Sequence, residues 1–173
     1  MKKTILITIG LIICSFIFFI NFSSEYSINN NPSEIKEEIE KRLKADIDIK
    51  VIRVTNNKLH FVFDMNGSLG TGELRRGWTN KYKFESVGYG TNKLRERIIE
   101  TNHGQYLKLA GINNDNIGKI KAYIDNEIYD IDIPMGEYFL VLEPIKETKL
   151  EFPTAKIIIN REGEELYRIN LPE

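Results

Sequence analysis

The chain has 173 residues, with 24 Lys and Arg against 25 Asp and Glu, a near balance that excludes a general nucleic-acid binder. Its one cysteine, Cys14, lies in an apolar run, which excludes disulfide and thiol chemistry from the rest of the chain. The bias toward Ile, Asn and Lys suits an AT-rich bacterial source.

Residues 1–3 carry Lys2 and Lys3, and residues 4–22 carry no charge. Nineteen apolar-rich residues make roughly 28 Å of helix, close to the ~30 Å hydrocarbon core of a bilayer. The run predicts a transmembrane signal-anchor helix. Lys2 and Lys3 place residues 1–3 in the cytoplasm and everything after the anchor outside. Two alternatives fit less well. Signal cleavage after Ser23 or Ser24 would put Asn21 or Phe22 where a small residue is wanted. Lipidation at Cys14 would follow the bulky Ile13, and the run stays apolar to Phe22. Without Lys2 and Lys3 the remainder holds 22 basic against 25 acidic residues, a net charge of −3.

Residues 23–30 are polar and read as a short tether. Asn31-Pro32-Ser33-Glu34 then signals a helix start: a cap, a proline at the first helical position and a glutamate placed for a capping box. Ile35, Ile39 and Leu43 form a narrow apolar stripe, and Glu37–Lys41, Glu38–Arg42 and Glu40–Lys44 sit in the favourable i, i+4 order. The helix is expected to cover a sheet.

After Ala45 the period becomes two. Ile47, Ile49 and Val51 alternate before Ile52 and Val54 take over, which predicts a bulge or a switch of faces. Asn56-Asn57 reads as a hairpin turn, and Leu59, Phe61, Phe63 and Met65 alternate with polar neighbours. Gly67, Gly70 and Gly72 read as turn glycines that break the chain. Short strands follow over 73–76 and 81–87. Residues 31–92 therefore read as a helix plus antiparallel β-meander.

Residues 93–173 hold seven further strand signals, over 95–101, 105–110, 118–124, 128–133, 138–142, 155–160 and 164–169. Turn residues separate them at roughly ten-residue spacing, the pattern of a β-sandwich. Ile157-Ile158-Ile159 reads as a strand buried on both faces. The fold class is mainly β (α+β).

No pattern points to catalysis, a metal or a cofactor. His60 falls on the polar face of a strand and His103 in a turn, so both are expected to face solvent. Asn113-Asn114-Asp115-Asn116-Ile117-Gly118 starts like a calcium loop, but Ile117 and Ile124 stand where ligands are needed. It reads as an Asx-rich turn. No Gly-x-Ser-x-Gly elbow occurs, and no carboxylate pair is singled out.

The most distinctive stretch is 75–84, where the only Trp is interleaved with cations. Arg75, Arg76, Trp78, Lys81 and Lys83 are the candidate binding residues, suited to lipid headgroups, anionic wall polymer or an acidic protein surface. Tyr82 and Phe84 are expected to point inward, with Trp78 closing one end of the core. Residues 73–97 carry seven cations against three acids, whereas 125–137 carry five acids and no cation, so a charge-polarised domain is expected. The sequence therefore implies a non-enzymatic, single-pass membrane-anchored domain that binds a protein or envelope component near the membrane. An accessory subunit of a membrane complex is the alternative, and a carboxylate-based envelope enzyme the weaker one.

Overall fold

The computed structural model describes residues 12–14 and 25–170. Most of the apolar run 4–22 lies outside the described residues. Its Ile12, Ile13 and Cys14 are helical and exposed. Among the described residues no helix is long and apolar enough to cross a membrane.

The chain is mainly β with antiparallel sheets. Among the described residues helix α1 (Pro32–Leu43) precedes eleven strands. They are β1 (Asp48–Thr55), β2 (Lys58–Met65), β3 (Ser68–Arg76), β4 (Tyr82–Gly90), β5 (Leu94–Thr101), β6 (Gly104–Ile112), β7 (Ile117–Ile124), β8 (Glu127–Asp132), β9 (Tyr138–Ile145), β10 (Ala155–Asn160) and β11 (Glu165–Ile169).

The Asn31 side chain caps α1 by accepting from Ser33 N at 2.9 Å, and Pro32 occupies the first turn. Glu34 does not close the expected capping box. Its carboxylate reaches further back and accepts from the backbone and side chain of Asn29. The helix ends at Lys44, in a left-handed conformation with φ 55°, whose N–H returns to Glu40 O.

Strands β1 to β4 form the meander in chain order, with the expected bulge between Ile49 and Val51. Leu59, Phe61, Phe63 and Leu74 face α1 and pack with Ile35, Ile39, Ile28, Ile47 and Tyr82. Strand β3 is longer than the sequence suggested, because Gly70 and Gly72 do not break it. They lie opposite Phe63 and Phe61, and a Cβ at either position would overlap the facing ring. A glycine that leaves room for a cross-strand aromatic is a strand residue.

The seven later strands pair as β5-β6-β9 and β11-β10-β7-β8. The chain passes between these sheets at the β6–β7, β8–β9 and β9–β10 connections, the Greek-key habit of β-sandwiches. Their shared core includes Leu107, Leu109, Ile120, Ile131, Phe139 and Ile158. Only Ile158 of the Ile157–Ile159 run is fully buried; its neighbours are half-buried on the outer face.

The two β regions are joined. The meander face turned away from α1 packs on the outer face of the three-stranded sheet, through Val62 and Leu69 against Ala110 and Leu140. Layers therefore run helix, meander, three-stranded sheet, four-stranded sheet. The acidic run is less polarising than expected. Lys119 and Lys121 of β7 stand opposite Asp132 and Asp130 of β8, and Lys146 pairs with Glu127.

Candidate functional site

The expected binding residues cluster at the β3–β4 hairpin. Gly77 N donates to Lys81 O at 2.8 Å and Asn80 takes φ 60°, so Trp78 and Thr79 form the tip. Trp78 is 88% exposed and does not close the core as the sequence suggested. The five candidates divide. Arg75 is ion-paired with Glu85 on the neighbouring strand. Lys83 bonds Glu25 at 3.2 Å and sits 5.2 Å above the Tyr26 ring. Arg76 and Lys81 are exposed, and among the described residues neither joins an ion pair.

Sequence reasoning missed what lies beside this hairpin. The expected tether is docked rather than free from Glu25 onward. Ile28 forms an antiparallel bridge with Tyr82, N–H to O at 3.0 and 2.7 Å, and is only 6% exposed. The Tyr26 ring lies against Gly77, where a Cβ would collide with it. The signal was present in Tyr26 and Ile28, the apolar residues of an otherwise polar stretch.

Two further turns meet this end of the molecule. Asn57 O accepts from Arg76 N at 2.8 Å, and Asn57 Oδ1 accepts from Asn102 N at 3.2 Å. The Asn56 side chain donates to Thr101 and Tyr106. The β1–β2, β3–β4 and β5–β6 turns thus form one rim, with the docked tether alongside. His103 lies in the third turn and is exposed, as expected.

Behind the rim is a buried ionic cluster between the meander and the three-stranded sheet. His60, expected on a solvent face, is fully buried there. That face of β2 is covered by the three-stranded sheet, which local alternation does not reveal. Glu73 pairs with Lys108 of β6, and Lys58 Nζ lies 3.5 Å from Glu73 and 3.1 Å from Glu85. Two cations and two carboxylates balance. His60 Nδ1 is 3.8 Å from Glu73, and among the described residues neither ring nitrogen has a hydrogen-bond partner. Burial lowers the His60 pKa to about 4; Glu73 opposes this, while Lys108 and Lys58 add to it. For Glu73, burial raises the pKa, but Lys108, His60 and Lys58 together hold it below the ordinary carboxylate value. Burial likewise draws the Lys108 ammonium down, against the pull of Glu73.

Next to this cluster a cleft of about 240 Å³ opens between β4 and β5. Arg95, Arg97, Glu96 and Phe152 line its mouth, with Glu73 and Lys108 at its inner side. Glu96 is bound to Lys156 and Glu73 to Lys108, so the carboxylates are held by lysines. Among the described residues no group of His, Cys, Asp and Glu could hold a metal ion. Asn113 uses its side chain in the Asx turn, accepting from Ile117 N at 2.6 Å. Compared with family models, curated proteins and solved structures, the chain matches none.

Proposed function

We propose that the chain is a single-pass membrane protein, anchored by residues 4–22, whose C-terminal domain stands outside and binds a protein or envelope component at the membrane surface. The observation that carries this reading is the docked tether. Three peptide steps separate Phe22 from Glu25, at most about 11 Å of chain. Glu25, Tyr26 and Ile28 are fixed to β4 and its turn. An anchor at 4–22 would therefore hold the basic, aromatic rim close to the bilayer. Arg76, Trp78 and Lys81 are the exposed groups of that rim; Arg75 and Lys83 support it through Glu85 and Glu25. Glu73 and Glu85 are each ion-paired with lysine, which suits a structural role better than catalysis.

The test is crosslinking in intact cells from positions 78 and 83. A discrete adduct with a membrane-proximal component is expected. Background labelling alone from both positions contradicts the reading.

A further inference from the structure

We infer that the β3–β4 hairpin docks on anionic lipid headgroups of the membrane that holds the anchor, fixing how the domain stands on the bilayer. This rests on the membrane-anchored reading above and names the component that the rim meets. Three observations carry it.

The first is position. Ile28 is bridged to Tyr82, four residues after Trp78, and Tyr26 lies on Gly77, immediately before it. With Phe22 at the bilayer boundary, the hairpin tip cannot be far from that boundary. The second is chemistry. Trp78 is 88% exposed and stands between Arg76 and Lys81; neither cation joins an ion pair among the described residues, although Lys81 is near enough to the Glu34 carboxylate to help lower its pKa. An indole belongs at headgroup depth, where its ring meets apolar chains and its N–H meets water. Flanking cations complement lipid phosphates. The third is rigidity. Arg75 is paired with Glu85, Lys83 with Glu25, and Asn57 O accepts from Arg76 N, so the residues flanking the tip are held from three sides. A preformed tip loses little freedom on docking.

The orientation follows from the chain path. Helix α1 starts beside the docked tether, and β1 begins at Asp48 opposite Asp64, at the far end of β2. The helix therefore leads away from the rim. With the rim on lipid, the Asn66-Gly67 turn and the Asp64–Tyr138 hydrogen bond face away from the membrane.

Trp78 is the only Trp in the chain, so its fluorescence reports the tip directly. The full chain is reconstituted in phosphatidylglycerol and in phosphatidylcholine vesicles, each with or without a headgroup-proximal nitroxide lipid. Retention after carbonate washing and flotation is read separately. The expected result is retention in both lipids, with blue-shifted, quenched emission in phosphatidylglycerol. Arg76→Gln and Lys81→Gln should each lower the docked-to-undocked ratio about fivefold, from ~1 kcal/mol per cation, with unchanged circular dichroism. Retained chain with water-like, unquenched Trp78 emission overturns the hairpin contact and leaves the anchor standing. Equal quenching in both lipids overturns the anionic headgroup as its ligand. A chain that washes off overturns the anchor itself and the docking with it.

Discussion

Ile28 and Tyr82 exchange two backbone hydrogen bonds, 3.0 and 2.7 Å long, and so fasten the chain before α1 to the first residue of β4. This short bridge converts a polar tether into part of the folded domain. It also shortens the reach expected from eight free residues to the three steps between Phe22 and Glu25. Glu25 must therefore lie within about 11 Å of the end of the apolar run.

Ile28→Ala should loosen this attachment. Ile28 is nearly fully buried beside Ile35 and Tyr82, so the truncation should cost about 2–4 kcal/mol. Urea unfolding of the detergent-solubilised chain gives the cost. Hydrogen exchange should show residues 25–30 opening faster than β2.

Gly72→Ala should destabilise the meander by about 1–3 kcal/mol, because its Cβ would enter the space of the Phe61 ring. Phe61→Leu alone should also destabilise. The two together should cost less than the sum of the single changes, since leucine vacates the space that the alanine methyl needs. A double-mutant cycle measures the coupling. Additive costs would show that the ring does not rest on Gly72.

His60 should make stability depend on pH in a defined window. The unfolded chain protonates it near 6.5 and the folded chain near 4, because burial disfavours the imidazolium. Between those values unfolding takes up a proton, so stability falls as pH falls from 6.5 to 4 and is flat with respect to this group above 6.5. The full contribution is about 3 kcal/mol. His60→Met keeps the bulk and removes the titration. Unfolding midpoints at pH 7.5 and pH 5 should differ less in this variant than in the parent.

Glu73→Gln should be among the most damaging polar changes, at about 3–5 kcal/mol, because it leaves Lys108 buried without its counter-charge. Glu73→Leu combined with Lys108→Met should be milder, since both charges leave together. Circular dichroism of thermal unfolding separates the two outcomes.

The legible parts of the fold were those governed by local period. Asn31-Pro32 marked α1, the alternation from Leu59 to Met65 marked β2, and all seven later strands stood where their turn residues put them. What stayed hidden depends on contacts distant in sequence. Gly70 and Gly72 look like breakers until Phe63 and Phe61 are known to lie opposite them. His60 looks solvated until the three-stranded sheet covers that face of β2. Trp78 looks like core by residue type, yet the turn between Gly77 and Lys81 lifts it away from the sheet. The basic hairpin was visible as composition. Its division into supported cations, Arg75 and Lys83, and open ones, Arg76 and Lys81, was not, because Glu85 and Glu25 come from a neighbouring strand and from the docked tether.

The proposal as a whole turns on which side of a membrane the domain occupies. Protease added to cells stripped of their wall, with fragments followed by antibodies to the C-terminal domain, measures this directly. An anchored chain with residues 1–3 inside predicts that the domain is digested from outside while a cytoplasmic marker survives. Protection of the domain, with digestion only after the membrane is opened, would contradict the orientation and the function proposed from it.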